Sequence, residues 1–142
     1  MRVFACGRLT LYPRRSWERF VARAGSRLVR RPQDADFVVI GSYVGQGTRV
    51  ADATAPTPLV DFTRAMIDRN RRVIVVAFGN PYLYRQLPFV PTYVVAWSGF
   101  VPAQRAAARA LSGAAPISGR LPISIPPHLR LGTGETRPAR AP

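Results

Sequence analysis

Acidic side chains are the first residues to examine for catalysis, because two facing carboxylates can act as general acid and general base. Asp34 and Asp36 are close in sequence, but they precede a predicted strand, at the end opposite the usual site of a parallel sheet. Asp61 and Asp68 are seven residues apart on one predicted helix, a spacing typical of a solvated face. The sequence therefore predicts no catalytic residue. The full set of acids is Glu18, Asp34, Asp36, Asp52, Asp61, Asp68 and Glu135.

Cys6 and His128 are the only cysteine and the only histidine. A single thiol forms no internal disulfide, and these two residues do not make a metal-binding cluster. Cys6 lies in a short apolar run, where a buried and inert thiol is expected. His128 lies in a proline-rich stretch, where an exposed loop residue is expected. We predict neither a metal site nor a cofactor.

All 21 basic residues are arginines, against 7 acids, so the formal net charge is +14. The absence of lysine excludes a Walker A phosphate loop and Schiff-base catalysis. The charge itself has two interpretations: an anionic partner such as nucleic acid, or a GC-rich codon bias that favours arginine.

The arginines are concentrated in residues 1–31, which hold 9 arginines and 1 glutamate, whereas residues 32–72 are neutral. Arg19, Arg23, Arg27 and Arg30 recur at helical spacing, opposite an apolar stripe, as on a solvated amphipathic helix. No nucleic-acid-binding motif accompanies them. We therefore do not expect nucleic acid as the main partner, and a basic module that binds an anionic partner such as nucleic acid is the alternative hypothesis.

Three continuous apolar runs, at 37–40, 73–78 and 92–97, predict strands covered on both faces, as in a parallel sheet. A fourth run at 121–125 is bracketed by prolines, which suit an edge strand. Helices are expected between these runs. Ser16 is expected to cap the first helix and Gly25 to end it, and Thr57 and Pro58 are expected to start the second. Pro102 is expected to start the third helix and Gly113 to end it. A short helical turn is expected over 82–87.

The alternation predicts an α/β fold: a three-layer α/β/α sandwich around a mostly parallel sheet, with the proline-bracketed edge strand at its C-terminal end. We expect one domain over residues 1–126 and an extended or disordered tail over 127–142. The sequence carries neither a signal peptide nor a membrane span, so a membrane partner is not expected and a cytoplasmic location is the default.

Two segments follow predicted strands and are candidates for binding. The glycine-rich stretch 41–48 lacks the spacing of a dinucleotide fingerprint, and it leads into a long loop, so the loop 42–56 is expected to contact a partner. The turn formed by Asn80, Tyr82 and Tyr84 could bind a sugar or another domain. Alternatively, Asn80 and Pro81 simply start a helix.

Three segments resemble the C-terminal α/β domain of glycoside hydrolase family 3, in particular its bacterial β-N-acetylhexosaminidase branch. The resemblance covers roughly residues 28–134, and Asp34 to Asp36 before the strand at 37–41 also fit it. The first segment is 78–83, which contains the motif residues Gly79 and Pro81, and the second is 106–111. The third is 115–126, which contains the motif residues Gly119, Arg120, Leu121 and Pro122.

This resemblance implies an accessory domain of an O-glycosyl hydrolase. In that family a (β/α)8 barrel supplies the aspartate nucleophile, and 142 residues cannot hold a barrel beside this domain. In some branches a glutamate of the C-terminal domain is the acid/base, but Glu135 lies in the predicted tail and does not take that role. The implied partner is a barrel domain or subunit, with carbohydrate as a further candidate. We expect the chain alone to be non-catalytic and to expose an apolar patch around Tyr82 and Tyr84.

Overall fold

The computed structural model describes residues 2–8, 15–44, 54–69 and 72–140, and side chains from residues 2–5 and from 18 onward within those ranges. Five strands and three α-helices alternate along the chain. They are β1 (Arg2–Arg8), α1 (Arg15–Arg23), β2 (Arg27–Leu28), β3 (Phe37–Ser42), α2 (Thr57–Asp68), β4 (Arg72–Ala77), β5 (Thr92–Val95) and α3 (Val101–Ser112), with 3₁₀ turns at Pro32–Asp34 and Pro81–Gln86.

The strands form one sheet in the order β2-β1-β3-β4-β5, and every pairing is parallel. Val39 of β3 lies beside Ala5 of β1 and Ile74 of β4. The side chains of β3 and β4 are almost all buried, as the unbroken apolar runs indicate.

Helices cover both faces of this sheet. On one face α1 and α3 pack over a core that includes Val21, Val76 and Ala108, and on the other face Met66 of α2 packs over Val38 and its neighbours. The predicted three-layer α/β arrangement is confirmed.

The predicted edge strand at 121–125 is wrong. The edges of the sheet are β2 and β5, and the prolines that bracket 121–125 remove backbone donors that a ladder requires. The backbone N–H of Leu121 instead donates to the carbonyl of Thr133, at 2.8 Å. Conversely, β1 is not predicted from the sequence, because its apolar stretch is short and is flanked by Arg2 and Arg8.

Two of the predicted helix caps also differ. Ser16 lies inside α1, and Thr57 is the first residue of α2, whose N-cap is Pro56. Both glycine stops are confirmed, since Gly25 and Gly113 adopt φ of +83° and +82°, a conformation that favours glycine.

After α3 the chain forms a long irregular hairpin, residues 113–140, which we call the C-terminal ribbon. Ile117 and Arg137 pair in antiparallel fashion, and a Cβ on Gly134 would collide with the carbonyl oxygen of Gly119. Of the ribbon residues, all of which the structure describes, only Ile125 is buried. None of the described helices has the length and hydropathy that a membrane crossing requires.

Candidate functional site at the carboxyl edge of the sheet

The carboxyl ends of β3, β4 and β5 meet at one edge of the sheet, where ligands of open α/β folds usually bind. Hydrogen bonds continue past the strands: Phe78 N–H donates to the Ser42 carbonyl at 2.7 Å, and Asn80 N–H donates to the Val44 carbonyl at 3.0 Å. Ala96 N–H donates to the Ala77 carbonyl at 2.9 Å. The turns after these strands are therefore fixed relative to one another.

Asn80 is fully buried at this edge and starts the 3₁₀ turn Pro81–Gln86. Its Oδ1 accepts a hydrogen bond from the backbone N–H of Tyr82, at 2.9 Å. The interpretation of Asn80 and Pro81 as a helix start is confirmed. Since this carboxamide oxygen accepts a hydrogen bond within the protein, Asn80 stabilises the turn.

Tyr82 and Tyr84 are both half-buried, so their rings contribute only part of their surface to the patch expected around them. The guanidinium of Arg85 covers the Tyr82 ring, at 4.8 Å from its centroid. Tyr84 makes edge-on contacts with Tyr93 at 5.1 Å and with His128 at 5.8 Å between ring centroids. Tyr84 therefore connects the turn to the C-terminal ribbon.

Two further tyrosines support the edge. Tyr93 donates its phenolic hydrogen to the Pro81 carbonyl at 3.2 Å, and Tyr43 stacks on Phe78 with ring centroids 4.8 Å apart. Burial raises the pKa of Tyr93 and of Tyr43 above the ordinary phenol value, and the carboxylate of Glu18 raises the pKa of Tyr43 further. Both phenols stay neutral at ordinary pH, so neither serves as a general base.

An exposed apolar group follows β5, one strand away from the predicted turn. Trp97 is 40% exposed, Phe100 is 65% exposed and Val101 is 47% exposed. We call these three residues the apolar corner. The sequence predicts a strand that ends at Trp97 and a turn at Ser98 and Gly99, but it does not predict this exposed group.

Trp97 adopts φ of +59°, and Ser98 N–H donates back to the Ala96 carbonyl at 2.7 Å, which makes a strained γ-turn. Two hydrogen bonds hold the following residues: Phe100 N–H donates to Ser98 Oγ at 3.1 Å, and buried Gln104 Nε2 donates to the Gly99 carbonyl at 2.7 Å. The turn therefore presents an aromatic side chain that the fold does not bury.

The candidate loop 42–56 is described only at its two ends, and residues 45–53 lie outside the described ranges. At one end Ser42 is buried, and its Oγ has no hydrogen-bond partner among the described residues. At the other end Ala55 N–H donates to Oε1 of Gln86. The loop is thus attached to the 3₁₀ turn.

Carboxylates with ionic partners lie away from the carboxyl edge. Asp36 pairs with Arg2 at 2.9 Å at the amino end of β1, and Glu135 pairs with Arg137 at 2.7 Å on the ribbon. Within the described ranges, no cluster of three or more His, Cys, Asp or Glu side chains could hold a metal ion. The geometry of this edge supports binding or packing by aromatic side chains.

The motif residues of the family resemblance lie in two elements. Gly79 and Pro81 are buried in the turn, whereas the other four belong to the ribbon. There the guanidinium of Arg120 donates to Thr136 Oγ1 at 3.0 Å, and the carbonyl of Leu121 accepts from Gly132 N–H at 2.8 Å. Gly119 and Pro122, which flank these two residues, are exposed.

The sheet order and the flanking helices define an open, doubly wound α/β domain. No protein-family model matches the chain, and no curated protein matches it in sequence. Solved structures do match. A fungal multi-domain GH3 β-N-acetylglucosaminidase, which has a GCN5-related glucosamine N-acetyltransferase region, is 24% identical with a TM-score of 0.64 over 94% of this chain.

A GH3 β-N-acetylglucosaminidase from Paenibacillus sp. str. FPU-7 is 20% identical, with a TM-score of 0.57 over 79% of this chain. The β-glucoside phosphorylase BglX bound to 2FGlc is 16% identical, with a TM-score of 0.54 over 80% of this chain. The chain spans 16%, 24% and 23% of the lengths of these three structures. The likeness establishes a shared fold with one part of each.

Proposed function

We propose that this chain is an accessory α/β domain of a glycoside hydrolase family 3 enzyme of the β-N-acetylglucosaminidase type. It would lack catalysis of its own and would pack its carboxyl edge against a (β/α)8 barrel. This barrel would be another domain of the same protein or a separate subunit. The motif residues at 78–83 and 115–126 and the fold shared with GH3 structures support the family. The observation that carries the docking is the apolar corner, which the fold leaves exposed in a strained turn.

The apolar corner has the composition of an interface anchor. Tryptophan and phenylalanine are enriched in the centres of protein interfaces, where a few aromatic side chains supply most of the binding energy. The hydrogen bonds on either side of Trp97 hold the backbone of the turn, so the turn itself needs little ordering on docking. The turn with Tyr82 and Tyr84 and the loop 42–56 lie at the same edge and are proposed to widen the contact.

The first experiment assays the purified chain on an aryl N-acetylglucosaminide, and we expect no hydrolysis above the blank. The second replaces the corresponding C-terminal region of the Paenibacillus enzyme with this chain. We expect this chimera to be at least about ten-fold more active than the enzyme without that region, because the domain completes the barrel enzyme. Hydrolysis by the isolated chain would contradict the non-catalytic assignment.

Two variants with matched exposure test the docking surface within the chimera. Phe100 and Leu131 are both 65% exposed, one at the carboxyl edge and the other on the ribbon. We expect Phe100→Ser to lower activity and Leu131→Ser to leave it unchanged. A folded chimera with no gain over the truncated enzyme overturns the proposal, and so do equal effects of the two substitutions. If the chimera is insoluble, calorimetry measures binding of the purified chain to the truncated enzyme, and Phe100→Ser should weaken this binding whereas Leu131→Ser should not.

The alternative, a basic module that binds an anionic partner, has a separate test. Arg19, Arg23, Arg27, Arg30 and Arg31 are exposed around the end of α1 and along β2. Electrostatic binding of DNA weakens steeply with salt. Fluorescence anisotropy with duplex DNA, titrated with salt, should show only weak binding, and nanomolar affinity with a steep salt slope would favour the alternative.

A further inference from the structure

A cavity lies at the amino edge of the sheet, opposite the proposed docking surface. It has a volume of about 240 Å³, is partly open to solvent, and is lined by α1, α3 and residues near the amino ends of three strands. Its apolar walls are Val3, Val21, Ala24, Phe37, Val39, Ile74, Ala108 and Leu111, and its polar lining is Ser26, Ser112 and Arg140. We call it the amino-edge cavity.

Small side chains create this space. Helices α1 and α3 pack against each other, and Ala24, directly after α1, and Ala108 of α3 line the space, where larger side chains would fill it. On the opposite face of the sheet, Met66, Leu87 and Val90 occupy the corresponding layer and are buried. The cavity therefore results from the small side chains on the sheet face that α1 and α3 cover.

Ser26 brings a hydroxyl group into an otherwise apolar wall. Ser26 is only 8% exposed, and its side chain makes no hydrogen bond with another described residue. Among the described residues, Ser42 carries the side-chain oxygen that is both inaccessible to solvent and without a partner, so the Ser26 oxygen remains accessible from the cavity. The Ser26 hydroxyl can therefore form a hydrogen bond with a polar atom of a ligand in the cavity.

Arg140 brings a guanidinium group to the rim. Its backbone N–H donates to the Gly113 carbonyl at 2.9 Å, and its side-chain carbons pack against Gly113, where a Cβ would lie 2.9 Å from Cδ. These contacts place the side chain next to the cavity. Among the described residues the guanidinium has no ion-pair partner. Its donors are available for an anion.

The chemistry of this lining specifies a ligand. A cavity of about 150 Å³ with apolar walls holds benzene, so the amino-edge cavity has room for a longer apolar group. A guanidinium at the rim pairs best with a planar oxyanion such as a carboxylate, and the Ser26 hydroxyl can donate to the same group. We propose that the amino-edge cavity binds a small carboxylate with an apolar body, such as a fatty acid of about six to eight carbons.

Occupancy of this cavity would add contacts among three elements that already pack together, namely α1, α3 and the C-terminal ribbon. The apolar body would contact α1 and α3, and the carboxylate would attach Arg140, near the end of the ribbon, to both helices. The cavity lies at the other edge of the sheet from the apolar corner. The proposal therefore stands or falls independently of the proposed glycosidase role.

The test compares two probes of equal length, hexanoate and hexan-1-ol, by calorimetry and by chemical-shift changes of the Ala108 and Leu111 methyl groups. We expect hexanoate to bind the full chain about ten-fold more tightly than hexan-1-ol, since a charge-assisted hydrogen bond is worth that much even at a partly exposed rim. Arg140→Gln should remove this preference. Arg130→Gln, on the same ribbon but away from the cavity, should retain it.

Two further variants serve as controls for misfolding and for non-specific electrostatic attraction of hexanoate. Ala108→Leu should fill the cavity and abolish binding of both probes, and Ser26→Val should weaken hexanoate and leave hexan-1-ol unchanged. Absence of hexanoate binding to the unmodified chain overturns the proposal. Equal affinity for the two probes also overturns it, and so does an Arg130→Gln effect as large as that of Arg140→Gln.

Discussion

The two edges of the sheet are built from the same alternation of strands and helices, yet they end differently. At the carboxyl edge the turn residues Asn80 and Leu83 are fully buried, and hydrogen bonds link the turns that follow β3, β4 and β5. At the amino edge Ala24 and Ala108 leave a cavity of about 240 Å³. One domain therefore combines a carboxyl edge whose turns are held by hydrogen bonds with an amino edge that is less completely filled.

The largest expected effect is a pair of leucine truncations, one at each edge. Leu83 is fully buried beneath the carboxyl-edge turn, whereas Leu111 is partly exposed and lines the cavity. We expect Leu83→Ala to lower the free energy of unfolding by about 3 kcal/mol and Leu111→Ala by about 1 kcal/mol, because only the first creates a new enclosed void. Urea denaturation of both variants measures the difference, and equal losses would remove the distinction between the edges.

Asn80 gives the next largest effect. Asn80→Ala removes the oxygen that caps the Tyr82 N–H inside a buried turn. We expect a loss of about 1–2 kcal/mol in the free energy of unfolding, which thermal and urea unfolding measure. The matched variant Asn80→Ser keeps a capping oxygen and should lose less than the alanine variant. A larger loss for the serine variant would show that the cap is not the stabilising contact.

The two neighbouring alanines of α3 test the packing of the amino edge. Ala108 lines the cavity, whereas Ala107 is buried in the same core but does not line it. We expect Ala108→Leu to raise the free energy of unfolding by about 1 kcal/mol, because it fills empty space. Ala107→Leu should lower it by about 1–3 kcal/mol through overpacking. Both values come from urea denaturation, and a loss from both substitutions would mean that the cavity collapses in solution.

The smallest effect concerns the ion pair at the amino end of β1. Backbone and side-chain hydrogen bonds from Arg2 lower the pKa of Asp36. The stabilisation is therefore present above the unfolded-state pKa of about 3.9 and is lost as the pH falls through the lower folded-state value. We expect stability to fall more steeply below about pH 4 for the unmodified chain than for Asp36→Asn. Parallel acid-unfolding curves would contradict this.

Much of the fold can be predicted from continuous apolar runs. The runs at 37–40, 73–78 and 92–97 coincide with much of β3, β4 and β5, because parallel strands covered on both faces need apolar residues on both. The last run continues past the end of β5 at Val95 into the turn at Trp97. β2 consists only of Arg27 and Leu28, both exposed, so its pairing with β1 leaves no hydrophobic signal. The run at 121–125 is similar in composition to a strand, but tertiary contacts and its prolines place it in the ribbon.

The candidate site can be predicted in part. Asn80 and Pro81 are typical of a helix start, and this local signal is correct because the cap bonds a residue two positions away. The exposure of Trp97 and Phe100 cannot be predicted, because it depends on a positive φ and on which neighbours cover each ring. The amino-edge cavity likewise depends on residues from several separated segments.

The parallel sheet has a consequence for the order in which the chain is made and folds. Val3 pairs with Phe37, and Ile74 pairs with Thr92, 18 residues further along, so the sheet contains no hairpin. During synthesis β1, which lies between β2 and β3, has no central neighbour until Ser42 has left the ribosome. Its unpaired backbone is then open to other chains, so we expect a nascent chain that depends on chaperones more than a helical bundle of equal length would.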